Sequence, residues 1–259
     1  MFKQRIINIY YSRRLLWQMA CIQLKSRYAG SFLGIWLVIV NQLILVLAIT
    51  FVFKIILKIE IKDFPLFVLS GIFPWMFFSS TLFEVTSVFL SQQNVLRQFN
   101  FPREIIPLSS IICNFLNFLI GWVIVYPVFC FLNPGILFLL PLLIAVLLLH
   151  LLMVCGLGLI LSVMNVFFRD IGHILSILFM FWFWITPIFY SVDMVPKNLR
   201  WVYNLNPAAP YIEYYRDITL KGSVPDLSVF IAVFFWSFFS LFLGFWVFCR
   251  LESKILKSI

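Results

Sequence analysis

The sequence predicts an all-α membrane protein with six transmembrane helices, and three observations support this fold class. The 64 residues between Glu104 and Arg169 include no Asp, Glu, Lys or Arg. Apolar residues make up 63% of the chain and charged residues 11%, which excludes a water-soluble globular domain. Shorter charge-free runs follow four other charged residues, Arg27, Asp63, Asp170 and Asp226. Because a helix rises about 1.5 Å per residue, roughly 20 uncharged residues cross a hydrocarbon core about 30 Å thick.

Charges, prolines and glycines set the predicted ends of the six helices. The 64-residue run is divided in two by the turn sequence Asn133-Pro134-Gly135. Prolines within the spans are compatible with transmembrane helices, because packed neighbours satisfy the freed carbonyl groups. The six predicted spans cover about residues 32–53, 66–90, 105–131, the stretch from the turn to 165, 171–190 and 227–249.

Lysine and arginine residues in the loops predict the orientation. An even number of crossings places both termini on one side, and 12 of the 19 basic residues lie on that side. The positive-inside rule therefore places both termini in the cytoplasm. The predicted organisation is a cytoplasmic amphipathic interfacial segment (1–31), a transmembrane domain (32–249) and a cytoplasmic tail (250–259). The net charge of +9 is assigned to contact with anionic membrane lipids, so no nucleic-acid partner is expected.

The segment before the first span has apolar residues at helical spacing between Ile6 and Leu24, which predicts a helix lying flat on the inner membrane surface. Two interpretations remain open for it. It is a simple anchor, or it is a lateral gate that admits a substrate with a lipid anchor. The candidate inner-gate and interfacial residues are Trp17, Arg27 and Tyr28 here, with Arg169 and Asp170 at the start of span five.

Two connections between spans are long enough to carry function. The inner connection, residues 91–104, is polar and ends at Pro102, so it is either a solvated hairpin or a short surface helix that receives mechanical input from a cytoplasmic partner. The outer connection, residues 191–226, is too polar to cross the membrane yet rich in aromatic residues. Pro196 predicts the start of one short helix there, and Asn206 is predicted to cap a second that runs to Gly222.

The aromatic residues of the outer connection also have two interpretations. Tyrosine and tryptophan at this depth commonly anchor a protein at the membrane interface. Alternatively, two external or re-entrant helices cap the exit of a pathway, and their aromatic faces stack on sugar rings. The candidate external-gate and glycan-contact residues are Trp201, Tyr203, Tyr211, Tyr214, Tyr215 and Arg216.

Ionisable residues inside the spans are few, and they bear on the class of transporter. Ion-coupled carriers usually gather several charged groups near the midplane, whereas only Glu84 and His150 lie well within predicted spans. For His150 an interhelical hydrogen bond is favoured over a role in a pathway. Glu84 is the better functional candidate, and it is expected to pair with Arg97 or to reach water.

A membrane-embedded enzyme is a further hypothesis, and it would need clustered acid, base or nucleophile residues at one membrane face. The trio Arg169, Asp170 and His173 has suitable spacing, but an ion pair at the helix start is favoured. The five cysteines are scattered without ligand spacing. We therefore expect no catalytic residues, no metal site and no enzymatic activity in this chain.

Four short segments, in order along nearly the whole chain, resemble the membrane subunits of type-2 ABC exporters that move polysaccharides. They read Arg-Tyr-Ala-Gly-Ser-Phe-Leu-Gly-Ile-Trp at residues 27–36, Phe-Pro-Arg-Glu at 101–104 with Pro107, Asn-Val-Phe-Phe-Arg-Asp at 165–170 followed by Thr-Pro-Ile at 186–188, and Asn206-Pro207 with Tyr215-Arg216. The family includes permeases for O-antigen, as in lipopolysaccharide biosynthesis, and for capsule and teichoic acid. The resemblance implies a multi-pass protein of the bacterial cytoplasmic (inner) membrane that exports a lipid-linked glycan.

The resemblance also implies partners. Two copies of the permease form the channel as a homodimer, and two ABC ATPase subunits dock beneath it. The residues implied in coupling to the ATPase are Asn94, Arg97, Phe101, Pro102, Arg103 and Glu104. No Gly-x-x-x-x-Gly-Lys-Ser/Thr loop occurs in the sequence, so no cofactor is expected on this chain, and ATP and Mg²⁺ are expected on the partner. The alternatives are an exporter of a smaller lipid or drug, or an ion-coupled carrier.

Overall fold

The computed structural model describes residues 2–29, 36–56, 58, 63–98, 101–196, 198 and 206–258. Every regular element within these residues is helical, and they include no β-strand. The predicted all-α fold class is therefore confirmed. Residues Trp201 and Tyr203, and most of the helix predicted to start at Pro196, lie outside the described residues.

Two helices precede the first span, where the sequence predicts one continuous amphipathic segment. They are α1 (Phe2–Tyr11) and α2 (Arg13–Tyr28), separated at Ser12. On α2 the side chains of Leu16 and Ala20 are buried, whereas Trp17 is exposed. The burial of Leu16 and Ala20 fits the predicted amphipathic pattern, whereas Trp17, which the pattern places on the same apolar face, does not follow it.

Within the described residues, four helices are long and apolar enough to cross a membrane: Phe64–Thr86, Ile105–Leu132, Pro134–Phe167 and Leu227–Glu252. The other two predicted spans correspond, in the described part of the chain, to shorter apolar helices, Leu43–Ile56 and Ile171–Ile185. The larger elements are α3 (Trp36–Thr50, followed by a π-helical turn Phe51–Ile56), α4 (Phe64–Thr86), α7 (Ile105–Leu132), α8 (Leu140–Phe167, preceded by a 3-10 turn Pro134–Leu139), α9 (Ile171–Ile185) and α11 (Leu227–Ser258).

The predicted turn at residues 133–135 is present, because the side chain of Asn133 accepts a hydrogen bond from the backbone N–H of Gly135 at 3.2 Å. Other helix ends differ from the prediction. α4 ends at Thr86 rather than near residue 90. α9 ends at Ile185 rather than near residue 190, because Pro187 has no N–H with which to continue the helix. α11 continues without a break to Ser258, so the predicted tail is part of the last helix.

The two connections also contain helices. A short helix, α5 (Val88–Ser91), covers the end of predicted span two, and the inner connection holds α6 (Gln93–Gln98). The outer connection holds α10 (Ala209–Arg216), followed by a π-helical turn, Asp217–Lys221. As predicted, the helical segment stops at Gly222, whose φ of 62° is left-handed. Asn206 does not cap α10. Its Oδ1 atom accepts a hydrogen bond from the N–H of Ala208 at 3.0 Å, in the turn before the helix begins.

The most extensive helix contact joins α8 to α11. Gly156 and Gly244 lie at this contact, and a Cβ atom added to Gly244 would be 2.1 Å from the carbonyl oxygen of Gly156. Nearby, the hydroxyl of Ser237 donates to the carbonyl of Leu149 at 2.8 Å. Small residues allow transmembrane helices to approach this closely, since apolar burial alone does not hold them together in lipid.

Candidate functional site

One polar cluster, which we call the Arg27 cluster, consists of Arg27, Glu84 and Asn114 and joins α2 to α4 and α7. The Arg27 guanidinium donates to Glu84 Oε2 at 2.7 Å and to Asn114 Oδ1 at 2.8 Å. The Asn114 amide in turn donates to Glu84 Oε2 at 3.0 Å. Tyr28 follows on α2, and its hydroxyl donates to Asn117 Oδ1 on α7. The cluster therefore fastens the end of α2 to two transmembrane helices.

This cluster brings together residues that the sequence analysis placed in separate groups. The sequence predicts that Glu84 pairs with Arg97 or reaches water. In the structure its carboxylate pairs with Arg27, and 42% of its side-chain surface is exposed, which agrees with the second alternative. The side chain of Arg97 lies outside the described part of the structure. Beside the cluster is an open cavity of about 330 Å³, whose lining also includes hydroxyl and amide side chains from Gln23, Ser26, Ser87, Ser91, Gln92 and Ser110.

Replacing Asn114 with alanine is expected to lower the free energy of unfolding by about 1–3 kcal/mol. The reason is that Asn114 is buried, accepts a hydrogen bond from Arg27 and donates one to Glu84. Thermal unfolding of the purified chain in detergent measures this change. Gln18→Ala is the control, since Gln18 is exposed on α2. Unfolding of the Asn114 variant at the wild-type temperature would show that the cluster does not hold α2 in place.

A second cluster, the Arg5 cluster, lies where the inner connection enters α7. Arg5 of α1 donates to Glu104 Oε1 at 2.9 Å and also pairs with the carboxylate of Glu252 on α11. Arg103 donates to the backbone carbonyl of Glu252 at 2.7 Å. Burial lowers the pKa of Arg5, but the carboxylates of Glu252 and Glu104 outweigh that effect, so the pKa is raised above its ordinary value.

The predicted coupling residues are distributed over this region in different environments. Asn94 is exposed on α6, whereas Glu104 keeps only 2% of its surface and is held by Arg5. Phe101 and Pro102 are partly buried, and they line an open cavity of about 350 Å³ together with Arg5. Residues 101–104 therefore combine a partly exposed surface with fixed contacts to both terminal helices.

The predicted external tyrosines are buried rather than available for stacking. Tyr211, Tyr214 and Tyr215 each have 0% of their surface exposed. The hydroxyl of Tyr211 lies 2.5 Å from Ser237 Oγ and donates to the carbonyl of Val233 at 3.1 Å, both on α11. Because α10 packs into the bundle, the faces of these tyrosines are covered by the protein's own helices. The prediction that they offer free faces to sugar rings is wrong for this conformation.

Arg216, also predicted as an external contact, is 7% exposed and lies inside the protein. Its guanidinium donates to the carbonyl of Ile188 at 2.6 Å and lies 3.7 Å from the ring centre of Phe67 on α4. The next residue, Asp217, pairs with Lys221 at 2.7 Å. Arg216 therefore connects α10 to α4 and to the segment that follows α9.

His150 makes the interhelical contact that the sequence predicts. Its Nδ1 atom lies 3.4 Å from the hydroxyl of Tyr215, which joins α8 to α10. The imidazole is 1% exposed, and its centre lies 4.7 Å from the ring of Tyr211 and 5.0 Å from that of Phe77. The hydrogen bond and the aromatic surroundings support the structural interpretation of this histidine.

The candidate catalytic trio is not assembled. Arg169, Asp170 and His173 are all exposed, and among the described residues no ion pair joins Arg169 to Asp170. The predicted ion pair at the start of α9 is therefore wrong. The described part of the chain also contains no group of His, Cys, Asp or Glu residues that could hold a metal ion.

The helices define a multi-pass α-helical membrane protein in which polar contacts tie two shorter helices, α2 before the first span and α10 in the outer connection, to the bundle. Residues 14–220 match the family model described as "ABC-2 type transporter". The chain belongs to this family of transporter membrane proteins.

Three relatives illustrate the similarity. A Klebsiella pneumoniae protein named "O-antigen export system permease protein RfbA" is 30% identical over 84% of this chain and 84% of its own length. A Myxococcus xanthus protein of the same name is 28% identical over 87% of this chain and 88% of its own length. The Escherichia coli "Polysialic acid transport protein KpsM" is 26% identical over 91% of this chain and 93% of its own length.

Proposed function

We propose that this chain is the permease subunit of an ATP-driven exporter that moves a lipid-linked polysaccharide of the O-antigen, capsule or teichoic acid type across the bacterial cytoplasmic membrane. The observation that carries the proposal is the similarity to O-antigen and polysialic acid transport proteins over more than 80% of the chain. Those relatives carry different glycans, so the proposal names the class of cargo and not one sugar.

The proposed assembly has two copies of this chain and two ABC ATPase subunits on the cytoplasmic side. In the proposed topology, with six crossings and both termini in the cytoplasm, residues 91–104 face the ATPase subunits. The sequence supports a separate ATPase, because it has no phosphate-binding loop of the Gly-x-x-x-x-Gly-Lys-Ser/Thr type. Closure of the ATPase subunits would then tilt the helices around the pathway, as in other proteins whose domains move as rigid bodies.

The Arg27 cluster supports a lateral entry role for α2. Arg27 and Glu84 form an ion pair next to a cavity lined by hydroxyl and amide groups, which are suited to a polar headgroup or sugar. The pair is partly exposed, with 33% of the Arg27 side chain and 42% of the Glu84 side chain accessible. A lipid-linked substrate approaching along the membrane surface would meet this face of α2 first.

Deletion of the gene in its host tests the proposal. We expect surface glycan to disappear and the lipid-linked glycan to accumulate at the cytoplasmic face, as measured by its accessibility in right-side-out and inverted vesicles. Expression of the wild-type chain should restore the surface glycan. The control is a strain that lacks the ATPase partner, which should show the same accumulation.

Two results would favour the alternatives. Normal surface glycan in the deletion strain, with altered sensitivity to small toxic compounds, would indicate an exporter of smaller substrates. Export in vesicles that contain this chain and an ion gradient, but no ATPase subunit and no ATP, would indicate an ion-coupled carrier.

A further inference from the structure

Arg5 holds together three parts of the chain that are far apart in sequence. Its guanidinium pairs with Glu104, 99 residues away at the end of the inner connection, and with Glu252 in the last part of α11. Arg103, next to Glu104, donates to the backbone carbonyl of the same Glu252. The first helix, the end of the inner connection and the last helix therefore meet at one point.

The charges make this meeting point depend on Arg5. Glu104 is 2% exposed and Glu252 keeps 18% of its side-chain surface. Two carboxylates at such a site repel each other, and a buried carboxylate is costly without a positive partner. Among the residues that the structure describes, Arg5 forms an ion pair with each of the two carboxylates, whereas Arg103 donates to a backbone carbonyl. Without Arg5 the two glutamates would separate.

The position of the cluster gives it a mechanical consequence. Glu104 directly precedes α7, so a displacement of residues 91–104 reaches Arg5 before it reaches the transmembrane part of α7. An arginine bound to two carboxylates passes that displacement to α1 and α11 together. With only one of the two contacts, the connection could move without carrying the last helix along.

We propose that Arg5 is a positioning residue for energy coupling: it ties the end of the 91–104 connection to α1 and α11, so that the three segments move as one body. This inference rests on the proposed function, in which that connection receives the motion of the ATPase subunits. Arg5 is expected to affect the transmission of motion to the transmembrane helices more than the hydrolysis of ATP.

Membranes that contain the full chain with its ATPase partner provide the test. For Arg5→Ala, normalised to protein in the membrane, we expect glycan export to fall at least tenfold while ATPase activity stays within about twofold of wild type. Arg5→Lys should keep part of the export, because lysine retains the charge but not the forked geometry. The charge exchange Arg5→Glu with Glu104→Arg should export more than either single variant does.

The matched control is Arg13→Ala, which removes one exposed charge next to α1, from a side chain that stacks on Tyr10 and touches neither carboxylate. Wild-type export by Arg5→Ala would overturn the inference, as would an equal fall in export and ATPase activity that the charge exchange does not reverse. If Arg5→Ala does not accumulate, Glu252→Gln tests the same tie, and wild-type export by that variant also overturns it. Failure of the wild-type chain to restore export in the deletion strain would instead overturn the proposed function.

Discussion

Replacing Gly244 with alanine is expected to lower the free energy of unfolding by about 1–3 kcal/mol, the usual range for overpacking a tight contact. The added Cβ atom would be 2.1 Å from the carbonyl oxygen and 2.7 Å from the Cα atom of Gly156. Both are backbone atoms, which cannot rotate away as the end of a flexible side chain can. α8 and α11 would have to separate, and the contact between Ser237 and Leu149 would lengthen with them.

Thermal unfolding in detergent measures this effect. The signal is the reactivity of the thiol of Cys155, which is buried beside Gly156 in the folded chain. Gly172→Ala in α9 is the matched control, because its Cβ atom would meet nothing closer than Asn165 Oδ1 at 4.0 Å. Gly156→Ala should lower the free energy of unfolding by an amount similar to Gly244→Ala. The double variant should lower it by less than the sum of the two single variants, since both substitutions disturb the same contact. Equal stability of the Gly244 variant and the Gly172 control would contradict this description of the interface.

Replacing Arg216 with alanine is expected to release α10 from the bundle. The variant loses a charged hydrogen bond to Ile188, in a class that contributes roughly 1.5–3 kcal/mol, and a desolvated cation–π contact with Phe67, in a class of about 2 kcal/mol. It also leaves a void beside Gly71, where the guanidinium now packs. Arg216→Lys should recover only part of the stability, because an ammonium group lacks the planar shape that stacks on a ring.

Limited proteolysis between residues 206 and 222, together with thermal unfolding, measures this change. Arg14→Ala serves as the control, since it removes an arginine whose side chain is exposed on α2. Under the proposed function the Arg216 variant should also lose most of its glycan export. Cleavage and melting indistinguishable from those of the Arg14 control would show that Arg216 does not hold α10.

Local patterns in the sequence predicted most of the fold. Charge-free length predicted α7 and α8, and the turn at residues 133–135 was predicted correctly within one long apolar run. Gly222 ended the helical segment after α10 as predicted. These features depend on residues close together in the chain, so their physical causes are visible without a structure.

The ion pairs were predicted less well, because their partners are distant. Arg27 and Glu84 are 57 residues apart, and no periodic pattern connects them. Arg5, Asn114 and Glu252 were not singled out as functional, although an asparagine in the middle of an apolar run is a signal for a polar partner on another helix. Recognising that signal could have identified Asn114 as a member of the site.

The buried α10 residues were predicted in the wrong environment for a different reason. Tyrosine next to charged residues is typical of a membrane interface, and Tyr211, Tyr215 and Arg216 fit that description. These residues are buried because they have partners elsewhere in the fold. Tyr211 contacts Ser237 on α11, and Arg216 donates to the carbonyl of Ile188 in the segment after α9. Side-chain type alone does not reveal whether such partners exist.

The length of α11 determines how a displacement of one end of this helix is transmitted to its other end. Its 32 residues form a rod of roughly 48 Å, well beyond the thickness of a hydrocarbon core of about 30 Å. The glycine contact with α8 falls near the middle of this rod, where the two backbones approach most closely. If α11 rocked about that contact, the Glu252 end would move one way and the Phe230 end, beside Tyr214, the opposite way.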